Sequence, residues 1–384
     1  MIRIINKSQC TGCTACQQIC GHGAISMHFD DDGHLYPLVE STKCVDCGLC
    51  EKVCPMVHKE RIPIDESLDK LSVYAVYNKD ESIRKQSTSG GIFSLLADVI
   101  ISEGGVVYAA RFDECYRIIH ASFDKIEDIG PYRGSKYAQS WLGDTFRQIR
   151  HDLKTRKVLF VGTPCQIAGL KGFLLKDYDN LYTCDFICMG ISSPVMWGDY
   201  INQFWEGHCV EEIFFKDKRY GWHQWKMLVK YDGGKEYLKG GMSDPFFNLY
   251  LTHLSYRPSC FECPFRTCKR LSDFTIADCW GIDKVAPEFD DNKGCTTIIL
   301  HSLKAEKVYG KIEPRVFSNE YTIQAVKKYN PYITRQLPFD SKRKDFLRLY
   351  REKGFKAAEK KFGYKGKNKA LKKIKNIIKK MINR

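Results

Sequence analysis

Cysteine is the residue type in this chain best suited to chemistry, and part of its spacing is regular. There are 18 cysteines among 384 residues. Cys10, Cys13, Cys16 and Cys20 form one run with gaps of two, two and three residues. Cys44, Cys47, Cys50 and Cys54 repeat it, with Pro55 after the last. Three thiolates at two-residue gaps on a tight loop can each reach one iron corner of a single cubane. The fourth, farther along, points away, and in two-cluster proteins of this spacing it serves the other cluster. The pattern predicts two 4Fe–4S clusters. One takes Cys10, Cys13, Cys16 and Cys54; the other takes Cys44, Cys47, Cys50 and Cys20. Zinc competes weakly, because it takes ligands as spaced pairs rather than three plus one twice. Gly21 follows Cys20 where proline is common, but that residue is not a ligand. His22, His28 and His34 read as surface histidines.

A second set of cysteines is less regular. Cys165 follows the short apolar stretch Val158–Val161 and stands at the start of an expected helix. A helix N-terminus favours a thiolate, which suits a metal ligand or a nucleophile. Cys188 follows another apolar stretch. Cys260 and Cys263 are two residues apart, with Cys268 and Cys279 beyond them. Those last four have the make-up of a zinc site. Cys115, Cys184, Cys209 and Cys295 stand alone and read as buried core thiols. No acid–base pair and no Ser-His-Asp order stands out, so no catalytic residue is assigned.

An ordered frame must hold these residues. Ile25–Phe29 and Leu35–Val39 read as strands around an Asp31-Asp32-Gly33 turn. Arg61–Leu71, with Pro63, reads as a linker. From Ser72 strands and helices alternate. The expected strands are Val73–Tyr77, Val106–Ala110, Val158–Val161 and Leu181–Cys188. The expected helices are Gly91–Ile101, Trp141–Leu153, Gln166–Leu175 and Pro194–Trp205. Ile213–Lys216 and Met227–Tyr231 suggest antiparallel strands with a Gly233-Gly234 turn. The expected fold class is α+β: a two-cluster module over residues 1–60, a mixed α/β body over 72–155 and 156–335, and a basic helical tail over 336–384.

Charge separates that tail from the rest. The chain carries a net +14, while Lys342–Arg384 alone hold 18 Lys and Arg against three acids. The remainder is close to neutral, which excludes a nucleic-acid footprint of the basic-stripe kind. Leu371, Ile374, Ile377, Ile378, Met381 and Ile382 fall at helical spacing with lysines between them, the pattern of a helix lying on an anionic membrane surface. The N-terminus shows no sustained apolar region with a cleavage site. No stretch approaches the ~20 apolar residues of a membrane helix. The expectation is a reducing cytoplasm, with cysteines used as metal ligands rather than disulfides, and the tail peripheral on the inner membrane face.

Several segments taken in order resemble the beta subunits of coenzyme F420 hydrogenases and dehydrogenases over about residues 1–335. They are Ser87-Thr88-Ser89-Gly90-Gly91, then Gly134-Ser135-Lys136-Tyr137, then Gly162-Thr163-Pro164-Cys165-Gln166 with Ala168-Gly169-Leu170. Cys188-Met189-Gly190 with Ser193-Pro194 follows, and Cys260-x2-Cys263-Pro264-Phe265 with Thr275-Ile276-Ala277-Asp278-Cys279-Trp280-Gly281 closes the series. Met189 stands where histidine is common in that family, and Cys279 where an aromatic is common. The resemblance implies a bacterial-type ferredoxin domain, then N- and C-terminal beta-subunit domains meeting near residue 155. It implies a third 4Fe–4S cluster on Cys165, Cys188, Cys260 and Cys263. It also implies FAD, held by Ser89, Gly90, Gly91, Ser135, Lys136, Gly162, Thr163, Asp278, Trp280 and Gly281. Gly90-Gly91 at a helix start would let backbone N–H groups approach a phosphate, and Lys136 would supply a cation. The activity implied is an iron–sulfur flavoprotein oxidoreductase, exchanging electrons with a ferredoxin or another redox protein and a hydride with a deazaflavin, or reducing an organic substrate. Some relatives stand among bacterial cell-surface polysaccharide genes. The alternative is a non-catalytic electron-transfer subunit of a larger complex.

Overall fold

The computed structural model describes residues 1–203 and 209–364. The N-terminal module is built twice over. Short helices Ala15–Ile19 and Leu49–Lys52 each follow a cysteine loop. The two loops share an unusual backbone: Gly12 and Thr14 in the first, and Asp46 and Gly48 at the matching places in the second, all have positive φ. A left-handed residue on either side of the second cysteine curls each chain tightly. Thr14 bears this as a β-branched residue, which raises its cost. Between the loops, β1 (Ile25–Phe29) and β2 (Leu35–Val39) pair antiparallel, Ile25 opposite Val39. Their turn uses Gly33 at φ 76°, where a Cβ would meet Ser193 Oγ at 2.3 Å, so the hairpin tip abuts the body.

The body is organised by an eight-stranded mixed sheet. In chain order its strands are β3 (Ser72–Asn78), β4 (Val106–Phe112), β5 (Ile118–Phe123), β6 (Val158–Val161), β7 (Leu181–Phe186), β11 (Phe274–Asp278), β12 (Thr296–Leu300) and β13 (Val316–Glu320). Their spatial order is β13-β3-β12-β11-β7-β6-β4-β5. β4, β6, β7 and β11 run parallel, and antiparallel strands flank them on both edges. The parallel strands read as continuous apolar runs because both faces are covered. On one face Val107, Ala109 and Leu159 meet helices Ile92–Ser102 and Leu303–Ile312. On the other, Val106, Tyr108, Val158 and Phe160 meet helices Thr145–Asp152 and Pro164–Leu174, together with Cys13, Ala15 and Val53 of the N-terminal module. Strands from either side of residue 155 therefore share one sheet.

A separate antiparallel sheet holds β8 (Val210–Asp217), β9 (Lys226–Tyr231) and β10 (Glu236–Gly240). The Gly233-Gly234 turn joins β9 to β10, a strand that the sequence pattern does not mark. The expected helix Trp141–Leu153 is shorter, Thr145–Asp152. The helix expected to reach Trp205 is seen as Pro194–Asn202; Trp205 lies outside the described residues. The start of the basic tail is helix Arg343–Phe362, broken at Gly354 (φ 73°). It buries Phe346, Leu347, Tyr350 and Phe355 in a core with Trp197, Tyr200 and Phe246. The expected amphipathic helix through Leu371 and Ile382 lies outside the described residues. Among the described residues no helix is long and apolar enough to cross a membrane.

Candidate metal and cofactor sites

Cys10, Cys13, Cys16 and Cys54 line one small cavity between Ile2, Met27 and Pro55. This grouping crosses the two runs, as the three-plus-one spacing demands. Burial pushes the Cys13 thiol up to about 12, and its neighbours Cys54 and Cys10 push the same way. Cys16 is raised by burial and then by Cys13, Cys10 and Cys54. Four sulfurs lining one cavity, Cys13 buried and the other three half-buried, suit a cationic metal core, which would offset the cost of ionising thiols there. Cys20 and Cys50 meet around Ile2 and Ile25, and the Ile2 N–H donates to Cys50 Sγ at 3.2 Å. Cys44 is half-buried and Cys47 is exposed. His22 and His28 are exposed as expected, but His34 is fully buried with both ring nitrogens unpartnered. Burial and the nearby Arg257 cation lower its pKa to about 3.

The second cysteine set also converges. Cys165, Cys188, Cys260 and Cys263 line a cavity of about 60 Å³. Cys165 comes from the first turn after β6, Cys188 from the loop just after β7, and the other two from the segment before β11. The turn at Cys165 is well specified. Thr163 caps the helix by accepting from the Gln166 N–H, and Gln166 Oε1 accepts in return from the Thr163 N–H at 2.9 Å. Pro164 occupies the first helical position. Burial raises Cys165 well above its ordinary value, with Cys263, Cys188 and Cys260 adding to it. Burial also raises Cys188 to about 11 and Cys260 to about 12. The expected zinc alternative is broken up. Cys268 and Cys279 lie in a different core, with Ile282 and Ile299. The Cys279 N–H donates to the Cys295 carbonyl at 2.9 Å. Of the isolated thiols, Cys184 and Cys295 are buried as expected, but Cys115 and Cys209 are exposed.

A cavity of about 430 Å³ opens at the carboxyl ends of the parallel strands, where open α/β sheets bind ligands. Ser89, Gly91, Ser135 and Lys136 line one part of it; Gly162, Thr163, Asp278 and Trp280 line another. Gly90 and Gly281 are off the wall. The Gly90 N–H donates to Thr296 Oγ1 at 2.8 Å, and Gly281 packs under the Tyr329 ring. Gly91 is the N-cap of helix Ile92–Ser102 at φ 82°, with no side-chain cap. The first N–H groups of that helix thus lack a side-chain acceptor next to the cavity, an arrangement suited to phosphate. Lys136 Nζ donates to the carbonyls of Arg133 (3.1 Å) and Gly134 (3.2 Å). Burial lowers its pKa to about 7.

Sequence reasoning missed two cavity residues. His120, on β5, donates from Nε2 to the Val161 carbonyl at 3.0 Å. Its Nδ1 is buried with no partner. Burial lowers its pKa to about 4, so the ring is neutral and Nδ1 is an unpaired acceptor on a residue that lines the cavity. Lys216, at the end of β8, pairs with Asp278 at 2.6 Å. It stands 5.2 Å from the Trp280 ring centre. Burial opposes its charge, but Asp278 and Tyr137 outweigh that and raise its pKa. Neither residue lies in a motif. An alternating strand holding one histidine, and a lysine after two phenylalanines, were the only traces. The orphaned acceptor, the lysine and the uncapped helix fit a group that carries N–H or O–H donors and phosphate, as FAD does.

The three cavities form a row. Thr11 lines both the first and the second. Thr163, Cys188, Gly190 and Tyr332 line both the second and the third.

A two-cluster cysteine module docked on a mixed sheet with a further cysteine pocket defines an iron–sulfur redox protein. Residues 9–57 match the 4Fe-4S dicluster domain, and residues 155–323 match the family described as the C terminus of the coenzyme F420 hydrogenase/dehydrogenase beta subunit. The chain thus carries a 4Fe-4S dicluster domain and, over residues 155–323, a domain of that family. It is similar to the coenzyme F420-dependent sulfite reductase of Methanocaldococcus jannaschii, 29% identical over 171 residues, 44% of this chain and 26% of that protein. It is also similar to one of the subunits of the F(420)H(2) dehydrogenase of Methanosarcina mazei, 24% identical over 172 residues, 42% of this chain and 48% of that one. The chain thus spans about a quarter of the first relative and half of the second. A solved chain of the F420-reducing nickel–iron hydrogenase complex from Methanosarcina barkeri aligns over 78% of this chain and 94% of its own length, at 17% identity and a TM-score of 0.48.

Proposed function

We propose that this chain is an iron–sulfur flavoprotein oxidoreductase. Electrons pass between two ferredoxin-type 4Fe–4S clusters, a third cluster on Cys165, Cys188, Cys260 and Cys263, and FAD in the large cavity. The observation that carries this reading is the row of cavities. Each shares wall residues with the next, and Cys188 lies on both the second and the third. Bound there, FAD would supply the interchange between single electrons and a hydride. The chain's own residues do the rest. The uncapped start of helix Ile92–Ser102 and Lys136 hold a phosphate. His120 Nδ1 accepts one hydrogen bond from the cofactor and fixes its orientation. The Lys216–Asp278 pair and the Trp280 ring close one wall against water. The names of the relatives favour coenzyme F420 as the hydride partner, with an organic substrate as the other choice. A ferredoxin or another redox protein would meet the exposed Cys47 edge.

The test is anaerobic cofactor analysis followed by photoreduction with a ferredoxin present. About twelve irons and one FAD per chain are expected, with cluster bleaching followed by loss of the flavin band. Clusters that bleach while the flavin band stays unchanged would sink the wiring. The carrier-subunit reading draws on the relative that is itself part of a dehydrogenase complex. It predicts that the pure chain turns over no acceptor alone.

A further inference from the structure

Arg257 is 1% exposed and ties the N-terminal module to the body. Its Nε donates to the Cys10 carbonyl at 2.7 Å, and Nη1 to Gln139 Oε1 at 3.1 Å. Nη2 reaches both the Leu35 carbonyl at 2.6 Å and Cys10 Sγ at 3.5 Å. Gln139 in turn donates to the carbonyls of Thr11 and Gly12 at 3.3 and 3.1 Å. The loop packs directly on both side chains: a Cβ on Gly12 would meet Gln139 Nε2 at 2.4 Å and Arg257 Nη1 at 2.9 Å. Arg257 is also bound to the second cysteine set, because its carbonyl accepts the Cys260 N–H at 2.9 Å.

The acceptors around this guanidinium are neutral: two carbonyls, an amide oxygen and a thiol. A buried cation without a carboxylate is costly. A cysteinate-bound cluster carries net negative charge, which grows by one on reduction, and would be its counter-ion. Cations and N–H donors at a cluster sulfur stabilise the reduced form.

We infer that Arg257 is a positioning residue that raises the reduction potential of the cluster on Cys10, Cys13, Cys16 and Cys54 and so gathers electrons at the junction between module and body. The outer cluster, with Cys47 at the surface, would then pass its electron inward downhill. Reduction adds one electron to the cluster and moves no proton. The inference rests on the cluster assignment proposed above.

The test is an anaerobic redox titration of the full iron-loaded chain, followed by low-temperature EPR, in wild type, R257Q and R257K. In R257Q one midpoint potential is expected to fall while the others hold, at unchanged iron content. R257K keeps the charge but cannot span all of these acceptors, so its midpoint should lie between the other two. If R257Q loses iron, R257K decides: full iron with one lowered midpoint supports the inference. Full iron with every midpoint unmoved, in either variant, overturns it. So does loss of the cluster from both, which would make Arg257 a structural post alone. A wild-type chain holding fewer than about eight irons would fail the underlying assignment instead.

Discussion

Replacing a single cysteine separates the two readings of the second set. Cys188→Ser removes one sulfur from a group of four that share a cavity, whereas Cys268→Ser changes a thiol buried in a different core. The first should lose about four irons per chain and the second none, measured by iron and sulfide assay after anaerobic reconstitution. Retained iron in C188S with loss in C268S would restore the zinc-like grouping. Lys136 makes the prediction that depends on pH. Its pKa falls to about 7 through burial, so its ammonium is charged below that value and neutral above it. An anionic ligand binds the charged form and takes up a proton in doing so above pH ~7. Affinity for FAD should therefore fall as pH rises through the neutral range, and Lys136→Gln should flatten that dependence in a fluorescence titration. His120→Phe should weaken FAD binding roughly tenfold through loss of one buried acceptor, while His120→Asn keeps an oxygen there and loses less. The ferredoxin cysteines were legible because their chemistry fixes their spacing. His120 and Lys216 were not, because each owes its role to distant strands brought together by the sheet.

At the scale of the element, the turn from β6 into helix Pro164–Leu174 shows how a short sequence aims one side chain. Thr163 and Gln166 satisfy each other's backbone N–H groups, and Thr163 Oγ1 lies 3.1 Å from Cys165 Sγ. Thr163→Ala removes the cap oxygen and should cost about 1 kcal/mol, seen as a lower Tm of the loaded chain. Thr163→Ser keeps the oxygen and should hold Tm. Equal loss in both would shift the role from the cap to the methyl group's packing. This turn was readable because strand, cap, proline and helix are local signals. The sequence also marked β6 and β7 from their apolar runs. It did not delimit β5, β10, β11, β12 or β13, nor the order of the sheet, in which β3 sits between β12 and β13. That order arises from pairing over more than two hundred residues and leaves no local trace. The left-handed Thr14 is similar. Its sequence neighbours do not announce it, while the matching Gly48 in the second loop does.

Across the whole molecule, the burial gradient gives the proposed relay a direction that kinetics can read. Cys47 is exposed, the Cys13 site is buried at the junction, and the Cys165 site lies between that junction and the large cavity. Stopped-flow mixing with a reduced ferredoxin should show cluster bleaching first and flavin reduction after it. Cys165→Ser should leave the first phase at its normal amplitude for the two outer clusters and abolish the second. Cys47→Ser should slow both, because the entry point is damaged and everything behind it waits. The two variants together discriminate between a relay and independent centres. If flavin reduction in C165S keeps its wild-type rate, electrons reach the large cavity by another route, and the shared wall at Cys188 is only a neighbour. If C47S slows flavin reduction while leaving dithionite bleaching of the other clusters intact, entry through the exposed edge is the step that limits the chain.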